Sequence, residues 1–430
     1  MSLRPERLAL LLLGLALVLN GCGRDEEPDT VEATPAPLEL VGSGACADCP
    51  AEQAEAWRDS HHDLAMQEAT PATVLGDFAA EPFEHHGEIT RFDREGDRFR
   101  IVARGPDGER ARDVAYVFGV APLQQLLVPL PGGRLQALNV AWDAREAAVG
   151  GQRWYHLHAG EPTPPGDVLH WAGPAQNWNA RCAECHSTGL RKGYSPEGDT
   201  FETTYAELDV GCEACHGPGS AHAARARAGA SVTGADSGLV VDLRNDGRWV
   251  LDAGAPIARR APARSSNAEL EACAPCHSRR TNLRSVSEPG RPFLDGYRPA
   301  LLEAGLYQAD GQIEDEVYVW GSFLQSRMHA AGVTCSDCHD PHSLALPEPS
   351  DATCATCHRP EVFATPDHHH HSEDSPGASC VACHMPARTY MGVDVRHDHS
   401  FRIPRPDLSV ALGTTNACSD CHAERPASWA

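Results

Sequence analysis

Eight Cys-x-x-Cys pairs recur along this 430-residue chain, and seven of them are followed directly by histidine. Cysteines three apart on one helical turn point the same way, so each can bond one vinyl group of a porphyrin. The histidine that follows then sits beneath the iron as its axial ligand, which is the pattern of a c-type haem. Zinc ribbons and disulfides also use paired cysteines, but they give no reason for an adjoining histidine each time. The sequence therefore predicts covalently attached haem c with its iron.

The seven complete motifs supply the predicted haem anchors and the predicted proximal iron ligands. They are Cys182, Cys185 and His186; Cys212, Cys215 and His216; Cys273, Cys276 and His277; Cys335, Cys338 and His339; Cys354, Cys357 and His358; Cys380, Cys383 and His384; and Cys418, Cys421 and His422.

The eighth pair, Cys46 and Cys49, departs from the pattern because Pro50 stands where histidine is expected. Proline cannot bind iron, and it suits the first position of a helix. Three interpretations stay open: the pair carries no haem, it carries one whose histidine comes from elsewhere, or it carries one with an open axial position. The chain thus has seven haems, or eight if this pair is used.

Sixteen further histidines are available for the second axial positions, whereas only four methionines follow Met1. This ratio favours bis-histidine haems, which have lower potentials than His/Met haems. The predicted distal ligands are His62, His170, His222, His329, His342, His371 and His399. The run from His368 to His371 also fits a metal-binding tract. His85, His86, His156 and His158 are expected to be ordinary polar residues near strands.

The N-terminus indicates export. Arg4 and Arg7 precede an apolar run that ends at Cys22, as in a bacterial lipoprotein signal. Cleavage before Cys22 would leave its thiol to carry lipid and tether the protein to a membrane. The alternative is an ordinary secretory signal. Gly23 favours the outer membrane over the inner one, with the protein facing the periplasm.

The formal net charge of −24 makes nucleic acid an improbable partner. A basic redox protein would be attracted to such a surface, and a plain solvated surface explains the same charge equally well.

The predicted fold is mainly α with much irregular loop, in a multihaem cytochrome c architecture, plus a small β-rich insert without haem. Little sheet is expected near the haems, while alternating stretches between 89 and 142 predict strands. The predicted regions are a signal peptide at 1–21, a flexible linker at 22–44, an N-terminal helix with the degenerate haem site at 45–70, the β-rich insert at 71–175, a region with three motifs at 176–290 and a region with four at 291–430.

Several segments resemble exported multihaem c-type cytochromes related to the tetrahaem acceptor of hydroxylamine oxidoreductase and, more distantly, to pentahaem nitrite reductase. They are Ser60 to Gln67, Cys212 to Ser220, His329 to His342, Cys380 to Pro386 and His397 to Phe401. With Phe323 to Met328 they resemble a subgroup often fused to tetratricopeptide repeats, which are absent from this sequence. The resemblance implies electron transfer between redox proteins.

The alternative is a reductase or oxidase of a small nitrogen or sulfur compound. It would act at a haem with an open coordination site, which we would first seek between Cys46 and His62.

Overall fold

The computed structural model describes residues 37–47, 51–234, 236–286 and 288–430. The predicted signal segment, the predicted lipid attachment site Cys22, and Cys49 with Pro50 lie outside these residues. Leu38 to Ala430 belong to one compact unit.

The helices of the described residues are short, and the longest has ten residues. Their bounds are α1 (Ser43–Cys46), α2 (Ala51–Trp57), α3 (Trp178–Arg181), α4 (Cys212–His216), α5 (Ser220–Arg227), α6 (Ala268–His277), α7 (Phe293–Gly296), α8 (Trp320–Phe323), α9 (Arg327–Ala330), α10 (Asp351–Ala355), α11 (Pro360–Phe363), α12 (Pro366–His369), α13 (Cys380–His384), α14 (Pro406–Leu412) and α15 (Ala417–Cys421). None of these helices has the length and apolar character needed to cross a bilayer.

Strands are as abundant as helices. They are β1 (Met66–Glu68), β2 (Phe83–His85), β3 (Glu88–Glu95), β4 (Arg98–Gly105), β5 (Gly108–Asp113), β6 (Tyr116–Phe118), β7 (Leu123–Leu130), β8 (Arg134–Asp143), β9 (Arg153–His156), β10 (Tyr194–Ser195), β11 (Thr200–Phe201), β12 (Arg248–Val250), β13 (Arg259–Ala261), β14 (Arg280–Asn282), β15 (Tyr297–Pro299), β16 (Ala387–Tyr390) and β17 (Asp394–His397).

The prediction of a mainly α fold is therefore wrong, since 24% of the described residues are helical and 23% are in strands. The prediction expected short helices and long loops, with little sheet, around the haem motifs. A motif needs only one helical turn to align its two cysteines, and the chain between motifs is free to pair as strands. Four two-stranded antiparallel sheets, β10 with β11, β12 with β13, β14 with β15 and β16 with β17, lie among the motifs. The expectation of little sheet near the haems is wrong for the same reason.

Two larger antiparallel sheets precede the first complete motif. One has the strand order β1-β6-β7-β8-β9 and the other the order β2-β3-β4-β5. Alternate residues of β4 point inward and join apolar residues of β7 and β8 in one shared core, which contains Phe99, Ile101, Leu126 and Leu138. Strands appear where alternation between 89 and 142 predicted them.

The five-stranded sheet is buried on both faces, and its second face packs on the first complete motif. Leu127 and Ala137 contact Trp178 and Ala183, which lies inside the Cys182 motif. At the other end of the sheet, Tyr155 packs on Val393 and its hydroxyl donates to the Met391 carbonyl at 2.9 Å. The sheet therefore fixes the position of haem-binding segments from two parts of the chain.

A buried carboxylate ties the N-terminal segment to the Cys212 motif. Glu213 is 2% exposed and accepts backbone N–H groups from Val41 at 2.9 Å, Gly42 at 2.8 Å and Gly219 at 2.7 Å. A carboxylate that satisfies three buried donors cannot be replaced without leaving some of them unpaired.

We expect Glu213→Gln to destabilise the protein by about 1–3 kcal/mol, because one acceptor and the charge that strengthens these bonds are lost. Hydrogen exchange of the Val41 and Gly42 amides should accelerate, as measured by mass spectrometry of peptides from 38 to 46. Glu202→Gln, at an exposed position, is the matched control and should leave exchange unchanged. Equal exchange in all three proteins would contradict the role given to Glu213.

Candidate haem-binding sites

Several complete motifs begin on a single capped turn of helix. Asn177 caps α3 by accepting the Ala180 N–H at 3.0 Å, and Asn416 caps α15 by accepting the Ser419 N–H at 3.0 Å. Thr334 and Asp337 form a capping box at the Cys335 motif. Asparagine and threonine are favoured helix-capping residues, so the local sequence sets where each of these turns starts.

The arrangement of histidine rings provides a test of whether these motifs fit haem iron. A metal–imidazole bond is about 2 Å and a ring centre lies about 1.1 Å behind its nitrogen, so two rings on opposite sides of one ion have centres about 6.3 Å apart. Five of the seven motif histidines have a second histidine ring at 6.0–6.5 Å. This spacing leaves room for one iron between each pair.

The five pairs join motifs to distant parts of the chain. They are His277 with His62 at 6.3 Å, His216 with His342 at 6.5 Å, His339 with His399 at 6.5 Å, His384 with His368 at 6.0 Å and His422 with His371 at 6.1 Å. In all but the first pair the ring planes are within 29° of parallel.

The remaining two motif histidines have aromatic neighbours of another kind. His186 meets the edge of Phe118 at 5.3 Å, and His358 meets the edge of Phe363 at 5.4 Å. Within the described ranges, which include every histidine of the sequence, no imidazole faces either of them as in the five pairs.

The structure brings four of the predicted distal histidines, His62, His342, His371 and His399, opposite a motif histidine. His368 is a fifth opposing residue. Sequence reasoning expected a single ligand from the run 368–371. His368 lies in α12, whereas His371 lies beyond its end, after the left-handed His370, and no pattern in the sequence signals that the two rings face different motifs.

Three other predicted distal ligands are placed elsewhere. His170 lies beside Trp171 between the two larger sheets and accepts the Ala172 N–H. His222 bonds the Ser237 carbonyl at 2.8 Å, and His329 lies 3.1 Å from the Arg264 guanidinium.

Backbone carbonyls orient several of the rings. Nδ1 of His186 lies 2.8 Å from the Ala65 carbonyl oxygen, Nδ1 of His384 lies 2.6 Å from that of Arg402, and Nδ1 of His399 lies 2.9 Å from that of His397. A ring that donates its Nδ1–H in this way leaves Nε2 free to bind metal. Burial lowers the pKa of His277 to about 4, with the nearby His62 adding to the effect, so the ring is neutral as a ligand must be.

The pKa of the motif thiols is shifted in both directions, since a hydrogen bond with a cysteine of another motif lowers the pKa of Cys185, Cys335 and Cys354. Burial raises the pKa of the Cys215 thiol to about 11 and that of Cys182 to about 12. Asp351, Cys354 and Cys380 form the one group in the described part of the chain that brings three potential metal-ligand atoms within 4.8 Å. The Asp351 carboxylate already accepts the Cys380 N–H at 3.0 Å, and each cysteine belongs to a different haem motif.

Cysteines of different motifs lie next to one another. Four pairs of thiols are within hydrogen-bonding reach: Cys46 with Cys212, Cys185 with Cys276, Cys273 with Cys335, and Cys354 with Cys380. The Cys383 thiol is close to Cys418 and Cys421, and the Cys338 thiol is close to Cys357. Since these sulfurs mark porphyrin edges, the motifs form one connected series.

Residues between the motif cysteines hold neighbouring motifs together. Glu184 accepts from Arg280 at 2.9 Å and from the Tyr297 hydroxyl at 2.6 Å. Asp337 accepts from Arg260 at 3.2 Å and from the Trp249 indole N–H at 2.8 Å. The ion pairs Arg280–Glu184 and Arg260–Asp337 are nearly buried. Separating either pair would leave a buried charge without a partner, which is costly, so both pairs hold their segments in place.

Comparisons with known proteins show that the fold is similar to that of a solved multihaem cytochrome and that a cytochrome family model matches one short segment. The family model described as cytochrome c554 and c-prime matches residues 170–217. The crystal structure of the outer cell wall cytochrome OcwA aligns with a TM-score of 0.57 and 19% identity over 91% of this chain and 85% of that one. The undecaheme cytochrome from the S-layer of Carboxydothermus ferrireducens aligns at a TM-score of 0.43 and 18% identity over 90% of this chain and 58% of that one. A search of curated proteins gave no match.

We expect His371→Ala to leave the iron at His422 with one protein ligand, because the rings of these residues face each other. Electron paramagnetic resonance of the oxidised protein should then show one additional high-spin ferric haem. The matched control is His370→Asn, which changes an adjacent exposed histidine and keeps a residue type that tolerates its left-handed backbone, φ 59°. A spectrum of His371→Ala identical to that of the control would show that His371 is not a ligand.

Proposed function

We propose that this chain, which has the fold of a multihaem c-type cytochrome, carries electrons between redox partners through seven covalently attached haems. Haem iron supplies the one-electron chemistry. The protein contributes the axial imidazoles, their orientation and the spacing of the haem sites. The observation that carries the proposal is the set of five facing histidine pairs, because irons closed on both sides suit transfer of electrons rather than binding of substrates.

The neighbouring thiols give the order in which electrons pass. The Cys273 motif contacts the Cys182 motif through Cys276 and the Cys335 motif through Cys273 itself, and the Cys212 motif lies close by. From Cys335 the series continues through the Cys354 and Cys380 motifs to Cys418. A haem held by Cys273 and Cys276 would therefore be the junction of the series, and a haem held by Cys418 and Cys421 would be one end of it.

Export is part of the proposal. The N-terminal sequence supports a signal segment followed by a lipid-bearing Cys22, with the outer membrane as its destination, and c-type haems are attached outside the cytoplasm. The aligned cytochrome OcwA, named for an outer cell wall, is consistent with an exported protein. The acidic charge supports basic redox proteins as partners. We also propose that the chain is related to the tetrahaem acceptor of hydroxylamine oxidoreductase and, more distantly, to pentahaem nitrite reductase. The support for this relation is the similarity of motif segments such as Cys212 to Ser220.

Two variants with equal haem loss test the order. Cys273→Ala with Cys276→Ala removes the junction haem, and Cys418→Ala with Cys421→Ala removes an end haem. After full reduction, reoxidation by a basic c-type cytochrome should become biphasic in the first variant, because the haem at Cys182, whose motif neighbours the Cys273 motif through Cys185 and Cys276, loses its connection to the rest. It should stay monophasic in the second. Stopped-flow absorbance measures both, intact mass gives the haem count, and identical traces would contradict the proposed order.

A second candidate function is chemistry on a small ligand at an iron with one open face. His186 and His358 favour it, because each lies in a complete motif and faces no second imidazole in the described residues. From the sequence, an open iron is expected first between Cys46 and His62. That position has less support, because the His62 ring faces His277.

Carbon monoxide added to the reduced protein tests this second candidate. If the irons at His186 and His358 are open, the absorption spectrum of up to two haems should change. The His371→Ala variant, which opens one more iron, calibrates the response per haem. A response in the variant combined with none in the native protein would exclude the second candidate.

A further inference from the structure

We propose that the outward side of the β14–β15 hairpin is the docking surface for an acidic electron-transfer protein. This surface, called the hairpin face below, consists of Thr281, Leu283, Leu294 and Arg298. The inference rests on the proposed function of electron transfer, and it adds an acidic partner to the basic one that the net charge of the whole chain favours.

The inward side of this hairpin is bonded to two haem motifs. Arg280 donates to the Pro275 carbonyl at 2.9 Å and to the Glu184 carboxylate at 2.9 Å. The Tyr297 hydroxyl also donates to Glu184, at 2.6 Å. Pro275 and Glu184 each lie between the two cysteines of a complete motif. A partner on the outward side is therefore separated from both motifs only by the thickness of the hairpin.

Strand alternation turns a different set of side chains outward. Thr281 pairs with Arg298 across the hairpin, and directly opposed residues point to the same side. Leu283, two residues after Thr281, continues that side and is 59% exposed. Its N–H donates to the Gly296 carbonyl at 2.8 Å, which places it beside α7, where Leu294 is 65% exposed. Since the motif cysteines lie on the inward side, we expect the attached porphyrins to leave the hairpin face open.

The segment that carries the hairpin face is basic, although the whole chain is acidic. Residues 279–302 contain five arginines against Glu288 and Asp295, a formal net charge of +3, whereas the whole chain has −24. Arg279 and Arg280 are paired with carboxylates of other segments. The positive charge available to a partner therefore comes from the other three arginines and from neighbouring parts of the chain.

Several arginines around the face have no carboxylate of their own. Arg298 and Arg191 are exposed, and neither forms an ion pair within the described residues. The backbone of Arg191 forms a bridge with Val286, which brings it next to the hairpin. Arg284 and Arg291 share a single carboxylate. Together these residues form a positive rim around the two exposed leucines.

An apolar centre with a charged rim matches the requirements of an electron-transfer partner. Such complexes are small and short-lived, and complementary charge at the rim steers the encounter while apolar contact forms the centre. A positive rim attracts a protein of negative charge. The acidic remainder of the surface attracts a basic one. An electron donor and an electron acceptor of opposite charge can then dock at separate places without competing.

The probe is the hydroquinone form of flavodoxin, an acidic protein with one flavin, mixed with the oxidised holoprotein in a stopped-flow spectrometer. Each transfer oxidises the anionic flavin hydroquinone to the neutral semiquinone and reduces one ferric haem to the ferrous state. Arg298→Glu should lower the second-order rate constant about fivefold at about 10 mM salt, and the difference should vanish at about 0.5 M salt, where charges are screened. Arg94→Glu, at an exposed arginine of β3 without an ion pair in the described ranges, is the matched control and should react as the native protein does.

A second pair of variants tests the apolar centre. Leu294→Ser removes apolar surface without changing charge, so the rate constant should fall about fivefold at every salt concentration. Val149→Ser is its control, because Val149 is 64% exposed and lies outside the hairpin face. Haem absorbance checks the folding of each variant. Reduction by dithionite and reoxidation by the basic cytochrome should be the same in all five proteins, which separates failure of docking from failure of electron transfer.

Three results would overturn the proposal. The first is an equal rate constant for Arg298→Glu and Arg94→Glu. The second is sedimentation of the native protein as a dimer that Leu294→Ser dissociates, because a second copy would then cover the hairpin face. The third is binding of the native protein to phosphatidylglycerol vesicles that is lost in Leu294→Ser, because the face would then belong to a membrane.

Discussion

The structure depends on one geometric constraint: two imidazoles must face each other with a gap that fits one iron ion. The motif supplies only the first imidazole. The second comes from the N-terminal segment in His62, from the residues just after another motif in His342, or from a loop in His371 and His399. Each pair therefore closes a large loop of chain. Closing such loops costs conformational entropy, and bonds to iron are strong enough to offset that cost.

This constraint explains why so few residues form regular helix. When covalent groups and their ligands fix the chain at many points, long cooperative helices are not needed to position the motifs. The chain between motifs needs only to satisfy its backbone hydrogen bonds and cover apolar surface, and short hairpins do both. The two large sheets are the exception, because they have a side-chain core of their own. Packing of Leu127 and Ala137 on Trp178 and Ala183 joins that core to the first motif.

Features that depend on neighbouring residues could be predicted from the sequence, whereas contacts between residues far apart in the chain could not. The motifs are local, so their positions and the strands between 89 and 142 could be predicted from spacing and alternation. The facing histidines are distant in sequence, and no periodicity connects His62 to His277. His170 had a promising setting, yet its burial beside Trp171 places it in the core between the sheets. The helix content was overestimated because a Cys-x-x-Cys-His run signals one turn and carries no information about the conformation of the chain beyond its histidine.

The residues between the two cysteines differ from motif to motif, and they bond each motif to a particular segment of the chain. Glu184, Glu213 and Asp337 stand between or beside motif cysteines, and each is bonded to a segment that belongs to another part of the chain. Such contacts help to fix each motif against one other part of the chain, which identical Cys-x-x-Cys-His patterns cannot encode by themselves. A carboxylate near a haem also favours the more positive, oxidised iron and lowers its potential. Arg260 and Arg280 counter that effect at Asp337 and Glu184, whereas the described partners of Glu213 are backbone N–H groups. In the proposed arrangement of haems, the charges that fix the motifs would also act on the relative haem potentials, so connectivity and driving force would be linked through the same side chains.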